Sequence, residues 1–581
     1  MRLFSLIAML MAAIAVHAIP AKPIWKTFRQ SDGSMLKVKL VGDEHFSYWV
    51  TEDQIPLVRN QQDFYYAQVS EGKLSTTGVL AHEPKVRTVS EMKSMATIAS
   101  VETLRPVVKK ELGVSKSYTG SKKGLIILVD FPDQKFNDDN PQETWNRVAN
   151  EVGYSENDHI GSVHDYFYDQ SYGQFDLTFD VVGPVTMSKM SAYYGSDQSG
   201  HQDVHVGEMI KEACLGADAS VNFQDYDWDH DGVVDQVFVL YAGLGQATGG
   251  TSDRIWPHEY QLQYAIGSTL NLDGVTVNTY ACSNELYEYT YQKGASTRTR
   301  MVNMGIGVIC HEFSHCLGIP DFYDTDYSGN RGMGSWDLLA AGSYNGPKAI
   351  GEIPPGFTSY ERNFAGWLDI EKLDKQQVNV SGMLPLTRKG AKAYALYNPQ
   401  HPDEYFLLEN RAIESWDRYV GHNQKRNYDA KPGLLILHVN YSQSAWASNS
   451  INSGSMQRLA IMGASGESTI DESRDTYPLG QKDSITAKTS PSFSLFNRNT
   501  DGSYQLKGEL YDIALNANGA LSFAYYPNGK SSTGISSTYV DAAEVESVYN
   551  LHGQQMQSVH QLPHGIYLVK YKNGDVRKQW Y

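Results

Sequence analysis

The order of apolar and polar residues predicts three kinds of structure along the chain. In the N-terminal part, segments such as 45–50 and 63–69 alternate apolar and polar residues, which is typical of half-buried strands. Residues 124–131, GLIILVDF, form an unbroken apolar run, as expected of a strand covered on both faces. A helical stretch follows at about 141–151, and short strand-like runs return beyond residue 375. We therefore expect a multidomain α+β protein, with a mixed sheet and helices followed by a β-sandwich-type domain.

Residues 1–18 have the composition of a secretory signal peptide. Arg2 supplies a basic start, residues 3–16 form an apolar core, and Val16-His17-Ala18 is an acceptable cleavage site. The apolar run is too short to span a membrane, and no later stretch reaches spanning length. We expect an exported, soluble protein whose mature chain starts near Ile19.

Charge and cysteine content restrict the partners and the kind of scaffold. The formal charge of −17 over 581 residues argues against nucleic acids or anionic membranes as partners. Four cysteines are too few for a disulfide scaffold in a chain of this size. Cys310 and Cys316 are about 9 Å apart along one helix and cannot pair with each other. They are either buried thiols or partners of Cys214 and Cys282.

The segment 311–324, HEFSHCLGIPDFYD, carries the strongest chemical signal. On a helix, His311 and His315 project from the same face one turn apart, where two imidazoles can bind one zinc ion. Glu312 is offset by about 100° and can reach a water molecule at the metal without being a ligand. A five-residue HExxH match also arises by chance in long chains, in which case the helix carries two unrelated histidines.

The residues after the second histidine favour the metal site. Gly318 stands where a helix can end with positive φ, and Pro320 prevents the helix from resuming. Asp321 then falls where a third, oxygen ligand can complete the site. The alternative third ligand is Glu361 on a downstream helix, as in thermolysin-like enzymes. We favour Asp321, because Gly318 explains the chain reversal that it needs.

A second cluster, DYDWDHDGVVD at 225–235, predicts a calcium loop. Carboxylates alternate with other residues, and Gly232 allows a sharp turn, so several oxygen atoms can converge on one Ca²⁺ ion. Position twelve of an EF-hand register is Phe238 instead of Glu, so this is not a full EF-hand. The alternative is a solvated, metal-free turn. The predicted calcium residues are Asp227, Asp229, Asp231, Val233 and Asp235.

These motifs and the changes in composition set the domain boundaries. Residues 85–116 are charged and poor in apolar residues, as in an exposed linker. The β-rich region before them is predicted to be a pro-segment that covers the zinc site until cleavage near 109–123; the alternative is an N-terminal β-domain that stays attached. The predicted segments are a signal peptide (1–18), a pro-region (19–118), a zinc peptidase catalytic domain (119–375), a β-rich domain (376–527), a linker (528–538) and a C-terminal β module (539–581).

Several motifs in the same order resemble the immune inhibitor A-like family of secreted bacterial zinc metallopeptidases, which is related to the metzincins. The resemblance implies a metzincin-like fold and a zinc-dependent endopeptidase made as a precursor. The sequence departs from the family at Leu339, where methionine is expected beneath the metal, which leaves Met333 as the substitute. The motifs that carry the resemblance are GDEHFSYWVTEDQIPLV, SYGQFDLTFDVVGPV, DYDWDHDGVVDQVF, IWPH, HEFSHCLGIPDFYD, GMGSWDLLAAGSYNG, EYFLLENR and PGLLILHVNY.

The motif and the resemblance together imply a mechanism. Zinc bound by His311, His315 and Asp321 activates water and polarises the scissile carbonyl of a protein or peptide substrate. Glu312 accepts the water proton and later donates it to the leaving amine. Tyr323 and Tyr344 are candidate donors to the oxyanion, although in a chain with 38 tyrosines either can be a packing residue.

The C-terminal end and the overall function each leave alternatives open. Residues 539–581, predicted to form two hairpins, resemble the sorting modules of proteins exported by outer-membrane secretion machinery; a plain β appendage is the alternative. Two other functions compete with a secreted endopeptidase: a catalytically inactive binding or adhesion protein on the same fold, and a zinc hydrolase of a non-peptide bond. The presence of Glu312 disfavours the inactive protein.

Overall fold

The N-terminal region is an antiparallel meander of six strands. The computed structural model describes residues 17–581 apart from positions 23, 44–46, 71–72, 96–117, 198–201, 249, 295, 327, 374–375, 424–425, 428, 468–470, 531–534, 537–544, 557–564, 573–575 and 581. The apolar core of the predicted signal peptide and most of the predicted cleavage segment therefore lie outside the described residues. The elements of this region are β1 His17–Ala18, β2 Trp25–Arg29, β3 Met35–Gly42, β4 Ser47–Thr51, β5 Pro56–Asn60, β6 Asp63–Ser70, β7 Lys73–Leu80 and helix α1 Val89–Met95.

Strands β2 to β7 pair in chain order, each antiparallel to the next. Leu36, Val38 and Leu40 alternate on β3 and are all buried, as the period of two requires. Short β1 does not join this meander; it pairs with a strand of the next domain.

The central domain is a mixed sheet with helices on both faces. Its strands are β8 Gly120–Asp130, β9 Phe175–Thr186, β10 Val237–Leu244, β11 His258–Gln261, β12 Leu270–Leu272, β13 Val275–Val277, β14 Thr279–Lys293 and β15 Ser296–Asn303. Its helices are α2 Pro141–Asn150, α3 Val163–Gln170, α4 Ser191–Tyr194, α5 Val206–Ala217, α6 Leu262–Ala265, α7 Ile306–His315 and α8 Ser359–Phe364.

The strand order of the central sheet is β1-β11-β14-β10-β8-β9, with β15 paired to β14, and β12 and β13 form a separate two-stranded sheet. Strands β14, β10, β8 and β9 are parallel, and β11 runs antiparallel to β14 near the edge. The strand predicted at 124–131 is confirmed up to Asp130, where β8 ends. The two faces of β8 belong to two apolar cores. Ile126 and Leu128 pack with helices α2, α3 and α7, whereas Leu125 and Ile127 pack with α5.

The region after the central domain is rich in strands, as predicted. Its elements are β16 Ile370–Lys372, β17 Val378–Met383, β18 Ala393–Asn398, β19 His401–Arg411, β20 His422–Asn423, β21 Arg426–Asn427, β22 Gly433–Asn440, α9 Gln443–Ala447, β23 Leu459–Ile461, β24 Glu509–Leu515 and β25 Leu521–Tyr526. A five-stranded sheet (β16-β18-β19-β22-β23) and a three-stranded sheet (β17-β25-β24) share one apolar core.

The C-terminal residues form one sheet of four short strands. They are β26 Ile535–Ser536, β27 Val545–Asn550, β28 Ile566–Tyr571 and β29 Val576–Trp580, in the order β26-β29-β28-β27. The predicted hairpins are thus joined into a single sheet, because β27 pairs with β28 and β28 with β29. Among all described residues, no helix is both long and apolar enough to cross a membrane.

None of the four cysteines forms a disulfide bond. Cys214, Cys282 and Cys310 are buried, and burial raises the pKa of each thiol. Cys316 is half-buried and donates through its Sγ to the carbonyl of Phe313.

Candidate metal centre

The two histidines of the HExxH motif lie at the end of the buried helix α7. Their rings are one helical turn apart, with centroids separated by 4.9 Å and planes nearly perpendicular at 89°. Nδ1 of His311 is 2.8 Å from the carbonyl oxygen of Leu338, and Nδ1 of His315 is 2.7 Å from that of Ile319. Because a carbonyl accepts, each Nδ1 carries the proton, and Nε2 keeps its lone pair for a metal.

Asp321 joins the histidines, as predicted from Gly318. Helix α7 ends at His315, and the turn after it closes at Gly318, whose φ of 81° is in the left-handed region that glycine adopts without strain. The chain then turns back, and Asp321 Oδ1 lies 3.1 Å from Nε2 of His311 and 3.6 Å from Nε2 of His315. All three side chains are fully buried.

The β-rich domain holds Asp321 in position. The side-chain oxygen of Asn449 accepts from the amide of Asp321 at 2.9 Å, and its Nδ2 donates to Asp321 Oδ2 at 2.6 Å. These two bonds leave Oδ1 directed at the histidines. Sequence reasoning missed Asn449, because it is 128 residues away along the chain and carries no motif.

Glu361, the alternative third ligand, has a different role in the structure. It is the third residue of helix α8, where Oε2 accepts from the amide and the hydroxyl of Thr358 in a capping box. Burial raises the pKa of Glu361, and the neighbouring Asp337 raises it further. The structure thus brings Asp321 to the histidines and uses Glu361 to cap a helix.

The donor set fits a zinc ion. Ligand atoms about 2 Å from a tetrahedral zinc are about 3.3 Å from one another, close to the separations seen around Asp321 Oδ1. Nε2 of His311 is buried and makes no hydrogen bond with a described residue. Two imidazole nitrogens and one carboxylate are a usual set for this ion.

Glu312 stands beside the three residues without being one of them. It is fully buried, and it can bring a carboxylate oxygen to within 4.8 Å of the ligand atoms of His311 and His315. Its Oε1 accepts from the backbone amide of Ile19 at 3.1 Å. The predicted base therefore faces a peptide nitrogen of the N-terminal segment.

Residues 19–22 lie across the site. Strand β1 pairs antiparallel with β11 at His258 and Glu259, and Ile19 follows directly. The indole Nε1 of Trp256 donates to the carbonyl of Ile19 at 3.0 Å. The hydroxyl of Tyr344 donates to the carbonyl of Pro20, also at 3.0 Å.

The tyrosines predicted to donate to the oxyanion make other contacts in this structure, and the predicted role stays a prediction. Tyr344 contacts the N-terminal segment through its hydroxyl, and Tyr323 is buried in the core two residues after Asp321. Trp256, which sequence reasoning passed over, belongs to the IWPH motif. His258 in the same motif uses Nδ1 on the carbonyl of Trp256, as expected of a structural histidine.

The segment expected to carry a methionine passes beneath the histidines. The carbonyl of Leu338 contacts His311, and the amide of Leu339 donates to Asp337 Oδ1 at 2.7 Å. Leu339 and Met333 are both fully buried in the same apolar core. Leu339 is therefore a buried core residue next to the backbone carbonyl that contacts His311.

The Asp-rich loop precedes β10 on the central sheet. Carboxylate oxygens of Asp227, Asp229 and Asp231 can lie within 4.8 Å of one another, with Asp227 buried and the other two exposed. Asp227 accepts from the amides of Asp231 and Gly232, and the isolated bridge at Val233 pairs with Thr276. Asp235 accepts from the amide of Trp228 at 2.6 Å. The loop brings together three of the five predicted residues, Asp227, Asp229 and Asp231, and calcium binding there stays a prediction.

Comparison with known proteins finds relatives of the central domain. Residues 111–368 match the family model described as immune inhibitor A peptidase M6, catalytic domain. The pre-pro-metalloprotease PrtV of Vibrio cholerae is 27% identical over 296 residues, which are 43% of this chain and 31% of that protein. Immune inhibitor A of Bacillus thuringiensis is 25% identical over 312 residues, 45% of this chain and 44% of the relative.

The chain therefore spans less than half the length of these relatives. The family match includes α7, Glu312 and Asp321, and it confirms the resemblance seen in the sequence motifs. Residues 111–368 are therefore similar in sequence to the catalytic domain of the immune inhibitor A metallopeptidases.

Proposed function

We propose that this protein is a secreted, zinc-dependent endopeptidase made as a zymogen, with a central domain of the metzincin type. The observation that carries the proposal is the convergence of His311 and His315 on one oxygen of Asp321 inside a domain that matches the M6 peptidases. A zinc ion bound there supplies Lewis acidity, which makes water more acidic and polarises the scissile carbonyl. Protein or peptide chains are the substrates.

Glu312 moves the proton. Its carboxylate accepts a proton from the attacking water and returns it to the leaving amine, as a general base and then a general acid. Its distance of 3.1 Å from the amide nitrogen of Ile19 supports this role, because the leaving amine of a substrate must come within the same reach.

The substrate backbone binds as the N-terminal segment does. Strand β11 has an edge that accepts an antiparallel strand, here β1. Trp256 donates to the carbonyl of Ile19, the residue that faces Glu312, and Tyr344 donates to the carbonyl of the next residue, so they hold the chain on the leaving-group side of the bond. Tyr344 thus acts as a substrate-positioning residue in this proposal.

The pro-region keeps the site latent by occupying it. Ile19, Pro20 and Ala21 are buried, and Ile19 and Ala21 share an apolar core with Trp256 and Tyr344. Signal cleavage after Ala18 leaves the new α-amino group of Ile19 beside Glu312, where a substrate would otherwise bind. Activity then requires removal of the pro-region. Calcium binding by the Asp-rich loop and a sorting role for residues 539–581 stay predictions, which metal analysis and deletion of that module address.

Casein hydrolysis tests the proposal. We expect the processed protein to cleave casein, to lose activity with a zinc chelator and to recover it with zinc. Glu312→Ala should lower kcat by about 10²–10⁴-fold while the protein keeps its zinc. Zinc binding without casein cleavage would favour a non-peptide substrate, and a chain that neither cleaves nor binds zinc would favour the inactive binding protein.

A further inference from the structure

The side chain of Lys22 fills a closed pocket beside the proposed active site. Lys22 is only 2% exposed, and its Nζ makes no hydrogen bond with a described residue. The Nζ atom lies 3.7 Å above the centre of the Tyr287 ring and 5.7 Å from that of Tyr344. Such a position over a ring face suits a cation.

The pocket is built by the catalytic domain. Tyr287 lies on β14, and Tyr344 and the buried Glu352 lie between α7 and α8, all within the residues that match the peptidase family. Burial lowers the pKa of Lys22, while the negative charge of Glu352 acts in the opposite direction. Removal of the pro-region therefore leaves a pocket with two aromatic walls and one acid nearby.

The N-terminal segment reaches this pocket in the orientation of a substrate. Ile19 presents its backbone nitrogen to Glu312, so it stands where the first residue after a cleaved bond belongs. The chain continues through Pro20 and Ala21, and the amide of Lys22 donates to the carbonyl of Ala247 at 2.9 Å. Lys22 is thus the fourth residue on the leaving-group side.

We propose that this pocket is a specificity subsite for lysine at the fourth position after the cleaved bond. The pro-segment uses it in the latent protein, and a substrate lysine uses it after the pro-region has left. The inference rests on the proposed peptidase function. It adds a substrate preference that neither the HExxH motif nor the family match specifies.

Cleavage of matched peptides by the processed enzyme tests the subsite. The peptides differ only at the fourth residue after the cleaved bond, which is Lys, Met or Ala. We expect kcat/KM for the Lys peptide to exceed that for the Met peptide by about tenfold, since Met has similar length without charge. Equal rates for Lys and Met, or for Lys and Ala, would overturn the proposal.

Two tyrosines of β14 provide matched variants. Tyr287→Leu should bring the ratio of kcat/KM for the Lys and Met peptides towards one, because it removes the ring beneath the lysine Nζ. Tyr291→Leu is the control: this half-buried tyrosine stacks on Tyr289 on the same strand, so the ratio should not change. If the Lys-to-Met ratio of kcat/KM does not fall in Tyr287→Leu, other residues recognise the lysine and the proposed subsite is wrong.

Binding separates this proposal from the peptidase function. Processed Glu312→Gln protein should bind the peptide Ile-Pro-Ala-Lys-Pro-Ile about tenfold more tightly than the same peptide with Met in place of Lys, measured by calorimetry. If no peptide is cleaved by the native enzyme, the proposed function fails, and the calorimetric difference still decides the subsite. Equal binding of the two peptides contradicts the subsite even if casein is cleaved.

Discussion

Arg411 is a buried cation at the junction between the central and β-rich domains. It is fully buried and donates to Glu409 at 3.0 Å and to Asp417 at 2.7 Å. Its Nη2 also donates to the carbonyl of Gly356, close to helix α8. One guanidinium thus joins the end of β19 to the segment that follows the metal site.

Replacing Arg411 by Met should destabilise the whole protein. The change leaves two buried carboxylates without their cation, which costs about 3–5 kcal/mol of unfolding free energy in comparable cases. Arg388→Met is the control, because its partner Glu414 and Arg388 itself are both about 39% exposed, and such pairs contribute about 1 kcal/mol or less. Urea unfolding of both variants measures the difference; similar losses would contradict a structural role for the buried cluster.

The residues of the candidate metal site differ in how far the sequence can predict them. His311, Glu312 and His315 are four residues apart or less on one helix, so helical geometry alone brings them together. Asp321 follows from Gly318, a local turn. Asn449 and Trp256 reach the site through the packing of distant segments, and no local pattern marks such contacts.

At the scale of elements, helix α7 is fixed by what packs against it. Gly307 lies so close to the following segment that a Cβ atom there would be 2.0 Å from the carbonyl oxygen of Ser343. Only glycine permits this approach, and it sets the helix against the turn that carries Tyr344. The sequence predicts the helix, whereas its position depends on this contact between distant residues.

Hydrophobic periodicity predicts where the strands lie, but it does not predict which strands pair with each other. The apolar run at 124–131 is enough to identify β8, because both its faces are covered. The pairing of β1 with β11 has no such signal, since β1 has two residues and belongs to the predicted signal peptide. Joining the C-terminal hairpins into one sheet likewise depends on long-range hydrogen bonds.

The N-terminal meander contains a histidine between two acids. His82 Nε2 lies 2.9 Å from Asp32 and Nδ1 lies 2.8 Å from Glu91 on α1. Burial lowers the pKa of His82, but the hydrogen bonds to Asp32 and Glu91 outweigh it and raise the pKa above the usual value. Hydrogen bonding to His82 in turn lowers the pKa of Asp32 to about 2.

This cluster should make the N-terminal region more stable in mild acid. Because its pKa is raised, His82 contributes stability that is complete below about pH 6.5. This stability is lost as the pH rises through the pKa of His82 in the folded protein. The contribution of Asp32 to stability is complete above the ordinary pKa of an aspartate. It is lost only as the pH falls towards about 2. His82→Gln should therefore lower the melting temperature at about pH 5.5 and much less at about pH 8.5.

His401→Gln is the matched control, because its Nε2 contacts a backbone carbonyl, that of Arg498. Hydrogen exchange of the β2–β7 amides in the full chain assigns the effect to the N-terminal region. A His82→Gln effect of equal size at both pH values would contradict the ion-pair explanation.

At the scale of the whole molecule, three regions build one site. The central domain supplies the histidines and Glu312, the β-rich domain supplies Asn449, and the N-terminal region supplies the segment that covers them. The shared core of Ile19, Ala21, Trp256 and Tyr344 shows that the N-terminal region packs on the central domain directly. The β-rich domain therefore contributes to the candidate metal centre through its hydrogen bonds to Asp321.

The metal content of two carboxylate variants tests the central claim most directly. We predict one zinc ion per chain in the purified native protein and in Glu361→Gln, because glutamine still caps helix α8. Asp321→Asn should lose most of its zinc while remaining folded. A zinc ion that persists in Asp321→Asn and disappears in Glu361→Gln would contradict the proposed ligand set.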